Sequence, residues 1–134
     1  MSSFTEASFT PLSDGKRWRV NEPGFSYGVG SEDSKIRIDV PAGFVTDFAS
    51  VPQGFRFYVG RTGKHALAAV VHDYLYKTQF IDGTPIERKT ADKIFLEAMK
   101  VSGVRWTKRR IMYRAVRLFG WVAWGKHREE GRLG

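Results

Sequence analysis

Lys64-His65-Ala66-Leu67-Ala68-Ala69-Val70-Val71-His72-Asp73-Tyr74-Leu75-Tyr76-Lys77-Thr78 is where this 134-residue chain changes its period. Leu67, Val70, Val71, Tyr74 and Leu75 recur at three- and four-residue spacing, which predicts an α-helix. Upstream the pattern is different. Trp18, Val20, Phe25, Tyr27 and Val29 alternate with polar residues around the turn Asn21-Glu22-Pro23-Gly24, and Ile36, Ile38 and Val40 alternate with Arg37 and Asp39. Those alternations predict half-buried strands between Arg17 and Pro52. Downstream the helical period returns over about Ile86–Ser102 and Thr107–Trp124, with breaks at Ile81-Asp82-Gly83-Thr84-Pro85 and at Gly103. The expected architecture is α+β: a small N-terminal antiparallel β-sheet followed by three helices. We read residues 1–134 as a single domain, with 1–53 mainly β, 64–124 helical and 125–134 a basic tail.

Composition narrows the functional classes. At 42% hydrophobic residues a chain of this length can build a core without staples. It has no cysteine, so disulfides, thiolate metal sites and cysteine nucleophiles are excluded. Met-Ser-Ser-Phe-Thr-Glu at the N-terminus is polar and acidic, unlike a secretion signal. No apolar run approaches the ~20 residues that span a bilayer. A soluble protein made in the cytoplasm is expected.

Charge is unevenly distributed. Residues 1–99 carry twelve Lys/Arg and twelve Asp/Glu, whereas residues 100–134 carry ten Lys/Arg against Glu129 and Glu130. The whole net charge of +8 therefore lies in the last quarter, which suits an anionic partner. Within it Ile111, Met112, Ala115, Leu118, Phe119 and Val122 form an apolar stripe expected to face the core. Arg105, Lys108, Arg109, Arg110, Arg114 and Arg117 form the candidate anion-binding set. An ordinary core helix with a solvated basic face is the simplest reading. An interfacial helix near lipid headgroups, a phosphate contact with nucleic acid and a docking face for an acidic protein subunit are the sharper ones.

Ionisable residues inside apolar helices point to a site, because an unpaired buried charge costs several kcal/mol. His65, His72 and Tyr76 share one helical face at intervals of seven and four, with Asp73 about 100° round from His72. Asp92 shares its face with Phe95 and Met99. It is either a carboxylate favoured by a helix N-terminus or, since that face looks inward, the acceptor for a buried donor such as His72 or Tyr76. A histidine oriented by a carboxylate can act as a general base toward water, and an aspartate aimed elsewhere can hold a hard cation. The same pair can equally be a satisfied core histidine. Asp47 reads as a turn carboxylate bonding the amides of Ala49 and Ser50, with metal ligation as the alternative.

Other chemistries fit less well. A His-Asp phosphohydrolase would need His65, which lies about 10 Å along the helix from His72, too far to share a metal. Ser50 has no nucleophile elbow, and Gly60-x-x-Gly63-Lys64 is too short for a phosphate loop.

His72-Asp73-x-Leu75-Tyr76 followed by Ala91-Asp92-x-x-Phe95 resembles the active-site helices of secreted-type phospholipases A2, most of all their disulfide-free bacterial and parvoviral relatives. The resemblance covers about residues 58–99 and implies an antiparallel helix pair carrying a lipid acyl hydrolase. It implies that His72 activates water, Asp92 orients the imidazole, Tyr76 supports Asp92, and Asp73 binds calcium together with backbone at Tyr58 and Gly60. The loop Tyr58-Val59-Gly60-Arg61-Thr62-Gly63 departs from that family in being shorter and in carrying Arg61, with Lys64 beside it.

A longer string, Val40-Pro41-Ala42-Gly43-Phe44-Val45-Thr46-Asp47-Phe48-Ala49-Ser50-Val51-Pro52, together with the two helical motifs, is similar to a family of uncharacterised proteins of tailed phages and prophages. It spans about residues 18–120 and implies a bacteriophage source. The partners so implied are virion proteins or an anionic membrane, and the locations are the host cytoplasm at synthesis or the phage particle. A non-catalytic virion protein, structural or accessory, is the alternative to the hydrolase.

Overall fold

The computed structural model describes residues 3–4, 8–14, 17–30, 36–46 and 63–126, of which residues 3, 4 and 63–66 are described by backbone alone. Strands come first, in the order β1 (Ser3–Phe4), β2 (Phe9–Pro11), β3 (Trp18–Val20), β4 (Phe25–Gly28), β5 (Arg37–Val40) and β6 (Val45–Thr46). Helix α1 (Gly63–Thr78) follows, then a hairpin of β7 (Phe80–Ile81) and β8 (Thr84–Pro85), and then helices α2 (Arg88–Val101) and α3 (Trp106–Phe119). A helical stretch at residues 121–126 continues beyond Gly120. The class is α+β, as the change of period predicts.

The strands form two three-stranded antiparallel sheets, β1-β4-β5 and β2-β3-β6. Register puts Phe25 opposite Val40 and Tyr27 opposite Ile38, and all four are buried. Arg37 and Asp39 turn the other way, so alternation in the sequence becomes one wet and one dry face. Each fully buried apolar side chain of this kind contributes about 1.5–3 kcal/mol. Gly24 closes the turn before β4 with φ of +82°, and a Cβ there would stand 2.9 Å from the Ala42 nitrogen, so the chain crosses at a point only glycine allows. β1 and β2 are too short to show a period, so the alternation predicts strands only from Arg17 on.

Helix α1 packs against β5, β6 and α2, and α2 packs in turn on α3. Ala68, Ala69, Val70, Val71 and Leu75 of α1 meet Ala91, Phe95, Ala98 and Met99 of α2 in one core. The sheet is pinned to α2 by Glu97, whose Oε1 accepts from the Tyr27 hydroxyl at 2.5 Å and the Gly30 amide at 3.0 Å.

The third helix departs from expectation. Met112 and Val116 enter the core and Ala115 is half-buried, but Ile111, Leu118, Phe119 and Val122 of the same expected stripe are exposed. Apolar residues lie on two faces of this segment, and its period alone does not say which one the protein covers. Among the described residues no helix is long and apolar enough to cross a membrane.

Candidate functional site: a buried aspartate shared by two helices' cations and a histidine

Asp92 lies one turn inside α2, past the first-turn position that would suit the helix dipole. It is fully buried, as are His72, Asp73 and the Tyr76 ring on α1. The two helices are adjacent, so the faces marked by His72/Tyr76 and by Asp92/Phe95 meet. Asp92 Oδ1 is 2.7 Å from His72 Nε2 and accepts from the Tyr76 hydroxyl at 2.6 Å. The imidazole is sandwiched between rings, with centroids 4.2 Å from Tyr76 and 4.5 Å from Phe95.

The other carboxylate oxygen has partners that helical spacing does not reveal at first sight. Oδ2 accepts from Arg88 Nη1 at 3.2 Å and from Arg117 Nη1 at 2.8 Å. Arg88 sits four residues before Asp92 on the same helix, a spacing that could have revealed it. It also donates to the backbone carbonyls of Val116 at 2.8 Å and Arg117 at 3.0 Å, tying α2 to the end of α3. Arg117 was expected on the outward basic face; instead it turns inward and is half-buried. The face it shares with Gly120 and Trp124 is the signal that could have shown this. Gly120 allows the close approach: a Cβ there would collide with the Tyr76 hydroxyl and lie 3.2 Å from Arg88 Nη1. Trp124 closes the far side with its ring edge-on to Tyr76 at 5.1 Å.

These contacts fix the proton positions. Burial alone would raise the Asp92 carboxyl, but hydrogen bonds from His72 and Tyr76, and then Arg117, outweigh it and hold the group below its ordinary range. Asp92 is therefore an ionised, acceptor-only group. Burial pulls His72 below its ordinary 6.5, against the opposing hydrogen bond and charge of Asp92. A neutral imidazole beside an ionised carboxylate must donate from Nε2, and Nδ1 then carries the lone pair. Burial, reinforced by Asp92, pushes the Tyr76 phenol far up, so it remains a donor.

Asp73, about 100° round α1 from His72, belongs to a second cluster. Its Oδ2 accepts from the buried Thr46 hydroxyl of β6 at 2.7 Å and lies 3.8 Å from Lys77 Nζ. Lys77 also donates to the Val45 carbonyl at 2.9 Å, which fixes its ammonium beside β6. Asp73 Oδ1 is buried and has no hydrogen-bond partner among the described residues. An orphaned carboxylate oxygen fits a cation ligand, and Thr46 offers a neighbouring hydroxyl oxygen, but calcium takes six to eight oxygens. Among the described residues no three His, Asp or Glu side chains are grouped to hold a metal. The expected ligands at Tyr58 and Gly60, and the candidates Asp47 and Ser50, lie outside the described residues, as do the Arg61 side chain and those of His65 and Lys64.

The remaining cations of the basic set keep to α3 and its approach. Arg105 precedes the helix and is exposed, Arg109 donates to the Val104 carbonyl at 3.1 Å, and Lys108 is half-buried. Arg110 stacks over Trp106 at 5.3 Å, and Arg114 is exposed. Asp92 thus collects one donor set from α1 and another from α2 and α3, while the outward cations form a separate surface.

A His–Asp pair buried between two packed helices, with a neighbouring aspartate of which one oxygen is unpartnered among the described residues, defines an α+β protein with a polar centre in its helical core. The chain belongs to the family described as Protein of unknown function (DUF1353), which it matches over residues 18–116. Neither curated proteins nor solved structures show a match to it.

Proposed function

We propose that this protein is a phage-encoded hydrolase of lipid acyl esters, of the phospholipase A2 type, in which His72 is the general base. The observation that supports the reading most is the His72 Nε2–Asp92 Oδ1 bond of 2.7 Å, because it puts the imidazole lone pair on Nδ1. In that role Nδ1 takes a proton as water attacks the ester carbonyl carbon. The imidazolium that forms is stabilised by Asp92, and it returns the proton to the departing alkoxide as the carbon–oxygen bond breaks. Hydrogen bonds from His72 and Tyr76, and then Arg117, keep Asp92 ionised, so it orients and stabilises the imidazole without taking the proton itself. Calcium would be held at Asp73 and would supply Lewis-acid polarisation of the carbonyl.

A second reading has its own support. His72 is fully buried and the Lys77 ammonium stands 3.8 Å from Asp73, which suits a core fixed by ion pairs in a non-catalytic virion protein. The test is fatty-acid release from liposomes, with calcium and with chelator, for the wild type and for His72→Gln. The glutamine amide can still donate to Asp92 but offers no base. Release that needs calcium and disappears in His72→Gln supports the hydrolase; no release under either condition favours the structural reading.

A further inference from the structure

The outer face of α3 and its continuation has a pattern that the buried centre does not use. Trp106, Ile111, Leu118, Phe119, Trp121 and Val122 are 58–71% exposed, an unusual concentration of large apolar side chains on one segment. The helix runs on through Gly120, whose amide donates to the Val116 carbonyl and whose carbonyl accepts from Trp124. At about 100° per residue Ile111, Leu118 and Val122 fall within about 40° of one another. Arg114 and Trp121 flank that line on one side, Phe119 and Lys126 on the other. No acidic residue occurs between Glu97 and Glu129.

We infer that this face is a docking surface for an anionic lipid bilayer. An occupant must offer negative charge and apolar volume together, which a headgroup layer over acyl chains does. Duplex nucleic acid would satisfy Arg110 and Arg114 but leave Leu118, Phe119 and Val122 without a counterpart. A second copy of this chain, packed face to face, would set these arginines against their own equivalents. Lipid fits both halves of the pattern. The inference stands whether or not His72 is catalytic, since it concerns binding alone.

The test is co-sedimentation of the full chain with vesicles of phosphatidylcholine, with and without phosphatidylglycerol, alongside tryptophan emission. Binding to the phosphatidylglycerol vesicles with a blue-shifted emission is expected. Leu118→Ser/Phe119→Ser should weaken it on the order of tenfold or more, and Arg114→Gln about fivefold. Phe80→Ser, which removes a half-exposed aromatic on the β7–β8 hairpin, should leave it unchanged. Thermal unfolding checks that each variant folds, and Ile111→Ser/Val122→Ser gives an independent pair on the same line. The inference is overturned by absence of vesicle binding. It is equally overturned by binding indifferent to both serine pairs, by tighter binding to duplex DNA than to lipid, or by dimerisation through Leu118 and Phe119 without lipid affinity.

Discussion

Replacing Asp92 by asparagine keeps the shape of the side chain and removes its charge. The wild-type carboxylate accepts four hydrogen bonds, at 2.7 and 2.6 Å on one oxygen and 3.2 and 2.8 Å on the other. An amide offers a single oxygen. Whichever way it faces, its NH2 group meets either the His72/Tyr76 donors or the two guanidinium groups. Hydrogen bonds to charged groups contribute about 1.5–3 kcal/mol each, but four such terms on one carboxylate do not add. Arg88 keeps its two backbone acceptors, and both arginines retain some access to water. The cost should therefore match that of breaking one buried ion pair, about 3–5 kcal/mol, a large part of the 5–15 kcal/mol typical of a domain. Urea unfolding followed by tryptophan fluorescence measures it, with an unchanged slope showing that only stability has moved. Arg117→Met, which removes one donor of the four, should cost distinctly less. A loss under about 1 kcal/mol for Asp92→Asn would mean that the four donors do not converge in solution, and the account of the site would fail with it.

Gly120→Ala should destabilise by about 1–3 kcal/mol, as overpacking does, because the new methyl group meets the Tyr76 hydroxyl held in the Asp92 network; unchanged thermal unfolding would contradict the close approach of α3. The pH dependence has a definite sign. With His72 held below 6.5 in the folded protein, the unfolded chain binds the proton first, so stability falls as pH drops from 6.5 toward the depressed folded value and is flat above it. Asp92, held below 3.8, adds a second loss that begins below that pH. Urea midpoints across this range should show the first loss in the wild type and not in His72→Gln; a first loss of equal size in both would assign it to other groups.

How far the sequence could be read depended on whether a local period carried the information. His72, Tyr76 and Asp92 were found because four-residue spacing fixes a helical face and apolar neighbours mark it as inward. Arg88 and Arg117 were missed because arginine is a common surface residue, and only the path of α3 across the end of α2 decides where Arg117 turns. The hairpin of β7 and β8 looks like a simple break in the sequence, since two residues per strand give no alternation. On α3 the sequence placed the apolar residues correctly on a helix but did not distinguish its covered face from its open one.

The convergence on Asp92 also restricts how this protein can change by mutation. Each of His72, Tyr76, Arg88 and Arg117 is satisfied in part by the same carboxylate, so losing Asp92 alone leaves two cations and two neutral donors short of an acceptor. Losing either arginine removes a counter-charge from a carboxylate buried in the core. A wholly apolar replacement of such a network can be neutral or even stabilising, but it requires several positions on three helices to change together. Every single-step route to it crosses a less stable intermediate. The cluster is thus an epistatic lock: drift can readily alter the cations on the outer face of α3, while the five side chains beneath it persist or are exchanged as a set.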